Sequence, residues 1–293
     1  MEAGFDLREQ NIAIVGLGLM GGSLALALHG ACNKLLAVDH DPGTIELALA
    51  NKIVDEISRS PEEILPLADI IILATPVQSI LQVITRLPEW KPGGALVIDL
   101  GSTKSQICRA LAQLPEPFTA VGGHPMCGKA EFTLANADAG LFCGKPFALV
   151  KLCNSSQPSI QMAQAIVQAI GGEPLWLDAE THDQWVAVTS HFPYLLANLM
   201  ARITPLAATP LVSTGWQSTT RLAGSSMQMM QDILKTNDRN VLPVLDQFLG
   251  ELETVRRLLA QQDFQQLEQV LTAGRNQHQQ VSTRVKAKET TAR

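Results

Sequence analysis

Three glycines near the start of the chain have the spacing of a phosphate-binding turn. The turn follows an apolar run and consists of Gly16, Leu17, Gly18, Leu19, Met20 and Gly21. The first glycine allows a tight bend, the second lets backbone N–H groups approach a pyrophosphate, and the third permits close packing of helix on strand. The following helix adds unpaired N–H groups and a favourable dipole at its N-terminus. These residues predict a dinucleotide-binding site.

A carboxylate follows at the position where such a site holds a ribose. Asp39 ends the next apolar run, eighteen positions after Gly21, and could accept hydrogen bonds from both adenosine ribose hydroxyls. A 2′-phosphate would be repelled there, because like charges that lack a partner destabilise each other strongly. His40 and Lys52 are the only cationic residue types nearby. The sequence therefore favours NAD over NADP.

Six histidines are candidates for the proton acceptor that a dehydrogenase needs when hydride leaves a carbinol. His124 lies in Gly122–Gly128 (GGHPMCG), directly after a predicted strand, and open α/β sheets bind ligands at the carboxyl ends of their strands. His29 and His40 are expected at the surface near the adenosine end, and His278 in a polar tail. His124 is thus the candidate base, although a histidine before proline can also be a plain turn residue.

Apolar runs alternate with helical segments in the first part of the chain. The predicted strands are Asn11–Gly16, Leu35–Asp39, Ala68–Thr75, Ala95–Leu100, Thr119–Gly123, Phe147–Lys151 and Pro174–Leu177. The predicted helices between them are Gly22–Leu28, Thr44–Lys52, Ser79–Leu87 and Pro158–Ile170. Strands that are apolar throughout indicate a parallel sheet that helices cover on both faces.

From Ala179 onward, helical spacing replaces the strand-like runs. Apolar residues recur at steps of three and four at Leu242, Leu245, Leu249, Leu252, Val255 and Leu259. This pattern predicts one face of a long helix, with a second helix at about Phe264–Ala273. The fold class is therefore α/β, with a Rossmann-type parallel-sheet domain over 1–178 and an all-α substrate and dimerisation domain over 179–293. The leucine face is longer than this helical domain needs internally, which predicts a homodimer.

Composition excludes several classes of protein. The 293 residues are 46% hydrophobic and carry a net charge of −6, which gives no basic surface for nucleic acid or for an anionic membrane. No apolar run approaches the roughly 20 residues that a membrane-spanning helix needs, and the first ten residues lack the apolar core of a secretory signal. The cysteines have no C-x-x-C spacing, so neither disulfides nor a metal site is expected: Cys32, Cys108, Cys127, Cys143 and Cys153. We expect a cytoplasmic protein.

Seven short motifs follow one another along the chain. They are GLGLMGGSLALAL at the glycine turn, LATPV before the helix at 79, DLGSTK at Asp99–Lys104, GGHPMCG at Gly122–Gly128, THD at Thr181–Asp183, TSHFPY at Thr189–Tyr194 and STTR at Ser218–Arg221. In this order they resemble the prephenate and arogenate dehydrogenase family of tyrosine biosynthesis, from about Asn11 to about Ala273. The resemblance implies that Thr75 and Pro76 join the glycine turn in binding the cofactor.

The resemblance also implies a reaction and a set of site residues. Hydride leaves C4 of the substrate ring, carbon dioxide leaves C1, and the ring becomes aromatic. His124 would be the hydrogen-bond acceptor and general base for the ring hydroxyl, and Ser102 would orient His124 or touch the nicotinamide. His191 would line the substrate pocket. Arg221 would bind a substrate carboxylate through its guanidinium fork, a geometry that lysine does not provide.

The chain departs from the family pattern at two places. Trp216-Gln217-Ser218 stand where an Arg/Lys-Asp pair commonly precedes the Thr-x-Arg element, and Ala130 stands where many members carry Glu, with Glu131 next to it. A carboxylate near the pocket mouth is therefore missing or moved. Whether the substrate carries the pyruvyl side chain of prephenate or the alanyl side chain of arogenate stays open.

Two other functions compete with this one. A β-hydroxyacid or 6-phosphogluconate type dehydrogenase shares the glycine turn and a helical second domain, but it carries a catalytic lysine in a glycine-rich helix, and Gly171–Gln184 contains no lysine. A non-catalytic dinucleotide sensor would keep the turn and Asp39 without needing the other site residues.

Each site residue also has a purely structural interpretation. His191 could be a buried core histidine, and Arg221 could belong to a surface ion pair. His182 and Asp183 could form a capping pair at a helix N-terminus, which is the interpretation we favour for them from sequence alone.

Overall fold

The computed structural model describes residues 6–129 and 131–291, with side chains as far as Val285. The strands are β1 (Asn11–Val15), β2 (Lys34–Val38), β3 (Glu56–Ser58), β4 (Ile70–Leu73), β5 (Leu96–Asp99), β6 (Thr119–Pro125), β7 (Pro146–Lys151) and β8 (Glu173–Leu177). The helices are α1 (Leu19–Leu28), α2 (Pro42–Ala50), α3 (Pro61–Ile64), α4 (Val77–Trp90), α5 (Ser105–Leu111), α6 (Gln157–Ala169), α7 (Ala179–Val186), α8 (Phe192–Ile203), α9 (Thr214–Thr220), α10 (Met227–Ala260) and α11 (Phe264–Thr291). A π-helical turn at Ala187–His191 joins α7 to α8.

The strands form one sheet in the order β3-β2-β1-β4-β5-β6-β7-β8. Every pair from β3 to β6 is parallel, which confirms the predicted Rossmann-type sheet. One correction concerns the last two strands: β7 pairs antiparallel with β6, and β8 is parallel to β7. Among its described residues, the connection from β6 to β7 contains a 3-10 turn and no crossover helix, and the chain returns in the opposite direction. β3 was not predicted, because its three residues (EIS) include only one apolar side chain.

Both faces of the sheet are buried, which accounts for strands without polar alternation. In β4, Ile70 and Ile72 belong to one apolar core, and Ile71 and Leu73 belong to the core on the opposite face. All four are at most 1% exposed. Since burying such a side chain contributes roughly 1.5–3 kcal/mol, this central strand anchors the sheet on both sides.

The parallel strands bring the chemistry-bearing motifs to one edge of the sheet. β1 ends at Val15 before the glycine turn, β4 ends two residues before Thr75, and β5 ends three residues before Ser102. β6 ends with His124 and Pro125. Because these four strands run in the same direction, all of these residues lie at the same carboxyl edge, where α/β sheets bind ligands.

After Asp178 the described residues form helices and no strands, as predicted. The described chain divides into two compact units, residues up to 238 and residues from 239. This division lies in α10, next to Asn237, whose φ of −133° and ψ of 18° interrupt the helix. The second unit consists of the rest of α10 and of α11, which continues to Thr291, well past the predicted Ala273. The predicted domain boundary at Asp178 separates sheet from helices and stays a prediction.

Two further observations concern the described residues as a set. None of their helices has the length and apolar character needed to cross a membrane. Their His, Cys, Asp and Glu side chains do not gather in any group of three or more that could hold a metal ion.

Gly21 packs directly against the backbone of the glycine turn. A Cβ added at Gly21 would lie 1.9 Å from the carbonyl oxygen of Gly16, a backbone atom that moves only if the turn opens. We therefore expect Gly21→Ala to lower the free energy of unfolding in urea by at least about 1–3 kcal/mol, the usual cost of overpacking. Gly93→Ala is the matched control, because its Cβ would meet nothing within 4 Å. Equal losses in the two variants would contradict this packing argument.

Candidate active site

The glycine turn packs closely against neighbouring parts of the chain. Gly16 has a φ of +96°, which favours glycine, and a Cβ there would lie 2.7 Å from Cγ2 of Thr75. A Cβ at Gly18 would lie 3.0 Å from the carbonyl oxygen of Phe132. The hydroxyl oxygen of Thr75 is buried without a hydrogen-bond partner among the described residues. A hydroxyl of this kind beside a phosphate-binding turn fits a dinucleotide, which would supply the missing partner.

The start of α1 and the carboxylate of Asp39 complete this part of the site. Gly18 caps α1 without a side-chain hydrogen bond. The expectation that the first N–H of α1 is unpaired is wrong, because the N–H of Leu19 donates to the carbonyl oxygen of Phe132 at 2.8 Å. Asp39 accepts the N–H of Leu17 at 2.7 Å and the N–H of Asp41 at 2.9 Å, one on each carboxylate oxygen. A carboxylate has about four acceptor positions, so the two that remain can accept ribose hydroxyls.

His124 lies at the end of β6, where the preceding glycines allow close packing. A Cβ at Gly123 would lie 2.5 Å from the carbonyl oxygen of Asp99, and one at Gly122 would lie 2.6 Å from Sγ of Cys108. The half-buried His124 ring has its Nδ1 2.8 Å from Nε2 of His182. Burial, followed by the nearby charges of His182, Lys104 and His191, holds the pKa of His124 well below its usual value of 6.5. His124 is therefore a neutral hydrogen-bonding group at neutral pH.

His182 is bound in turn to Asp183. Nδ1 of His182 lies 2.9 Å from Oδ1 of Asp183, and both side chains are almost completely buried. The N–H of Lys104 donates to Oδ1 of Asp183 at 2.7 Å, and the N–H of Ser105 donates to Oδ2 at 2.8 Å. Burial alone would raise the pKa of Asp183, but the hydrogen bonds from His182, Ser105 and Lys104 outweigh burial and lower it.

The interpretation of His182 and Asp183 as a capping pair is wrong for α7, the helix that contains them. Asp178 caps α7, since its carboxylate accepts the N–H of Thr181 at 2.8 Å. His182 and Asp183 lie inside the helix and face the start of α5 and the ring of His124. The adjacent His and Asp of the THD motif were the only signal in the sequence, and nothing in the spacing indicated that they meet residues 79 and 58 positions away.

Lys104 connects the strands beneath this site. Its side chain is fully buried, its ammonium group forms an ion pair with Asp99 at the end of β5, and it donates a hydrogen bond to the carbonyl oxygen of Gly123 at 2.6 Å. Asp99 also accepts the N–H of Gly101 at 2.9 Å and the N–H of Gly123 at 3.1 Å. The residue just before His124 is therefore fixed through both of its backbone polar groups.

Ser102 is half-buried at the same edge, three residues after β5. Within the part of the chain that the structure describes, its hydroxyl makes no hydrogen bond to His124, whose Nδ1 instead meets His182. The predicted roles of Ser102, in orienting His124 or touching the nicotinamide, stay predictions. Pro76 is exposed and precedes α4.

His191 ends the π-helical turn, and such turns often occur at functional sites. Its side chain is 1% exposed, and its Nδ1 lies 3.1 Å from Nδ2 of Asn237. The same Nδ2 donates to the carbonyl oxygen of Asp183 at 2.8 Å, so His191 and Asp183 share one amide partner. Burial lowers the pKa of His191 to about 4, outweighing the opposite effect of Asp183. His191 is therefore a second neutral imidazole beside the same carboxylate.

Arg221 follows α9 and is exposed. Among the described residues it has no ion-pair partner, in contrast to its structural interpretation as part of a surface ion pair. The next residue, Leu222, packs against the apolar cluster of Tyr194 in α8, which begins directly after His191. The residue directly after Arg221 therefore contacts the helix that follows His191. At the position where many family members carry Glu, this chain has Ala130, which lies outside the described residues. The neighbouring Glu131 is exposed.

Two family models match the chain. One is described as the nucleotide-binding domain of prephenate dehydrogenase and matches residues 23–174, and the other as its dimerization domain and matches residues 178–273. Together they cover well over half of the chain. The chain belongs to the prephenate dehydrogenase family.

Individual relatives agree with this membership. A prephenate dehydrogenase from Bacillus subtilis is 29% identical over 88% of this chain and 72% of its own length. A crystal structure of prephenate dehydrogenase from A. aeolicus in complex with hydroxyphenyl propionate and NAD+ superposes with a TM-score of 0.86 at 25% identity, covering 94% of this chain and 100% of that one. A crystal structure of Synechocystis arogenate dehydrogenase has a TM-score of 0.79 at 27% identity and covers 92% and 99%.

The buried His191 predicts a dependence of stability on pH. Its folded-state pKa of about 4 lies below the ordinary 6.5, so the unfolded chain binds this proton more readily between those values. The contribution of His191 to the free energy of unfolding is therefore greatest above about pH 6.5. It falls by up to ~3 kcal/mol as the pH falls toward 4. Urea unfolding across this pH range measures the slope.

The control variants separate His191 from other titrating groups. His191→Asn should flatten the slope without abolishing it, because the lowered pKa of His124 acts in the same direction. His29→Asn changes an exposed histidine and should leave the slope unchanged. A slope in His191→Asn as steep as in the wild type would contradict the assignment.

Proposed function

We propose that this chain catalyses the oxidative decarboxylation of prephenate to 4-hydroxyphenylpyruvate with hydride transfer to NAD, a step of tyrosine biosynthesis. The observation that carries the proposal is the neutral His124 ring at the carboxyl end of β6, on the same sheet edge as the glycine turn. A base there and a dinucleotide turn are what hydride removal from a ring carbinol requires. The family membership of the chain supports the same reaction.

The cofactor is proposed to be NAD, and it would supply the hydride acceptor. The turn from Gly16 to Gly21 would hold its pyrophosphate, Thr75 and Pro76 would contact it, and Asp39 would accept hydrogen bonds from its ribose. The A. aeolicus relative was crystallised with NAD+. A 2′-phosphate would meet a carboxylate that already accepts two backbone N–H groups, which favours NAD over NADP.

His124 would act on the ring hydroxyl. As hydride leaves C4, positive charge develops there, the hydroxyl becomes more acidic, and its hydrogen bond to the imidazole strengthens. Carbon dioxide leaves C1, and the electron pair of the broken bond enters the ring, which becomes aromatic. Because aromatisation makes the reaction strongly downhill, the main task of the protein is to align these groups. Ser102 would assist at this point.

Arg221 and His191 would bind the rest of the substrate. An exposed guanidinium without an ion-pair partner among the described residues can form paired hydrogen bonds with a carboxylate. His191, buried and neutral at working pH, would line the substrate pocket without adding charge. Oxidation of arogenate is the second candidate, favoured by the likeness to the Synechocystis arogenate dehydrogenase.

We also propose a cytoplasmic location. All five cysteines are unpaired thiols. Burial raises the pKa of Cys32 and of Cys127 to about 11 and that of Cys108 to about 12, which keeps these thiols protonated and unreactive. Free thiols of this kind are typical of a reducing compartment.

Kinetics separate the roles of His124 and Arg221. The hydrogen bond to His124 grows toward the transition state, so His124→Asn should lower kcat by roughly 10²–10⁴-fold with little change in KM. Arg221 binds a carboxylate that is already charged in the ground state, so Arg221→Ala should mainly raise KM, by roughly 10- to 100-fold. Arg109→Ala changes an exposed arginine on α5 and serves as the control.

The pH profile gives an independent check. In the wild type, kcat/KM should fall only at a pH well below 6.5, because the pKa of His124 is lowered, and this limb should vanish in His124→Asn. Near-normal kcat in His124→Asn, or lost kcat with intact KM in Arg221→Ala, would show that the two roles are assigned wrongly.

Cofactor choice depends on Asp39. The double variant Asp39→Ser/His40→Arg removes the carboxylate and adds a cation, and should shift the ratio of kcat/KM for NADP over NAD upward by roughly 100-fold, since a like-charge contact is costly. His40→Arg alone is the matched control and should shift the ratio much less. A wild-type enzyme with a higher kcat/KM for NADP would refute the proposed role of Asp39.

A homodimer through the helical part is proposed from the exposed leucines of α10. Leu242, Leu249, Leu252 and Leu259 are each more than half exposed, and their spacing of seven and three residues resembles a coiled-coil seam. The family model that matches this part is described as a dimerization domain. Light scattering at micromolar concentration should give a dimer for the wild type and a monomer for Leu249→Glu/Leu252→Glu. Gln247→Glu, on the same helix, should stay dimeric. A wild-type monomer with full activity would refute the proposed dimer.

A further inference from the structure

Three buried or half-buried side chains form a continuous hydrogen-bonded series that ends at the proposed base. Oδ1 of Asp183 lies 2.9 Å from Nδ1 of His182, and Nε2 of His182 lies 2.8 Å from Nδ1 of His124. The side chains of His182 and Asp183 are 2% and 0% exposed. The rings of His124 and His182 meet edge to face, with an interplanar angle of 67°. The reaction described above uses only the last member of this series.

The carboxylate of Asp183 acts only as a hydrogen-bond acceptor in this series. Its two oxygens accept the N–H groups of Lys104 and Ser105 at 2.7 and 2.8 Å, and its own backbone carbonyl accepts the side-chain amide of Asn237. An ionised carboxylate has no proton and can only accept hydrogen bonds. Nδ1 of His182 must therefore carry the proton of the bond that joins it to Asp183.

The proton position in His182 determines the one in His124. A neutral imidazole has one N–H and one lone pair, so with its proton on Nδ1 His182 accepts through Nε2. Nδ1 of His124 must then donate to it, which leaves the lone pair of His124 on Nε2. That nitrogen is the one not engaged by His182, and it is the nitrogen that can accept a bond from the substrate.

We propose that His182 and Asp183 are positioning residues that hold His124 in the Nδ1–H tautomer and stabilise the positive charge that its ring gains in the transition state. The proposal rests on the proposed function and deepens it. The substrate hydroxyl shares its proton with Nε2 of His124 as hydride leaves C4 and carbon dioxide leaves C1. The proton is on the phenol oxygen of the product, so no net proton is released or consumed. While it is shared, His124 donates more strongly to His182, and His182 donates more strongly to the carboxylate of Asp183.

The tautomer can be measured without turnover. Histidine-selective 15N labelling of the whole protein gives a pair of ring-nitrogen signals for each histidine, and the pair lost in His124→Asn belongs to His124. In the wild type these signals should report a protonated Nδ1 and an unprotonated Nε2. In His182→Leu, where Nδ1 has no acceptor, they should report a mixture of tautomers. A wild-type ring protonated on Nε2, or an unchanged single tautomer in His182→Leu, would overturn the proposal.

Steady-state kinetics with prephenate and NAD give the second test. Because His182→Leu removes a charge-assisted hydrogen bond made in the transition state, it should lower kcat roughly 10- to 100-fold with KM changed less than about threefold. The acid limb of kcat/KM should move to lower pH, because protonated His124 loses its acceptor, whereas repulsion by a charged His182 ring is absent while Nε2 of His182 is unprotonated. A loss of folding alone would lower the melting temperature without moving this limb.

Two variants sharpen the comparison. His182→Gln keeps an oxygen that can accept from His124 and an amide that can donate to Asp183, so it should recover kcat to within about tenfold of the wild type. His29→Leu removes an exposed histidine and should leave kcat, KM and the pH profile unchanged. Wild-type kcat in His182→Leu, or a His182→Gln variant as impaired as His182→Leu, would overturn the proposal. If the wild type has the expected tautomer but does not turn over prephenate, the proposed function fails and the assignment of the tautomer stands.

Discussion

A carboxylate without any contact with water must find all its partners inside the protein, and Asp183 does so at the point where three elements meet. Its oxygens accept two N–H groups from the start of α5, its neighbour His182 donates a third hydrogen bond, and its carbonyl accepts the amide of Asn237. Removing one partner of such a buried charge costs far more than the bond itself is worth. The positions of α5, α7 and the kink in α10 are therefore fixed relative to the ring of His124.

The same network determines the chemical character of the site. Burial keeps His124 and His191 neutral, so the site contains acceptors and donors of defined direction rather than positive charge. Lys104 is paired with Asp99 and donates a hydrogen bond to the backbone carbonyl of Gly123. This leaves the exposed Arg221 as the cation proposed to bind an anionic substrate. A preorganised site of this kind needs little rearrangement as charge develops.

The sequence was sufficient to predict much of the fold, because local patterns specify it. The apolar runs of β1, β4 and β5 and the glycine turn depend on neighbours a few residues away, and these predictions were confirmed. The reversed direction of β7 goes with a connection after β6 whose described residues form no crossover helix, and β3 depends on pairing with β2, so neither appears in a local pattern. The partnership of His124 with His182 joins residues 58 positions apart, and the capping interpretation failed because it considered only α7.

A two-by-two assay measures whether this arrangement of side chains oxidises a cyclohexadiene carbinol. The purified enzyme is mixed with prephenate or arogenate and with NAD or NADP, and reduced cofactor and aromatic product are measured together. We expect the highest kcat/KM with prephenate and NAD, with one 4-hydroxyphenylpyruvate formed for each NAD reduced. Preference for arogenate would select the second candidate function. Absence of reduced cofactor in all four combinations, from an enzyme that is folded and binds NAD, would show that these residues do not carry out this oxidation.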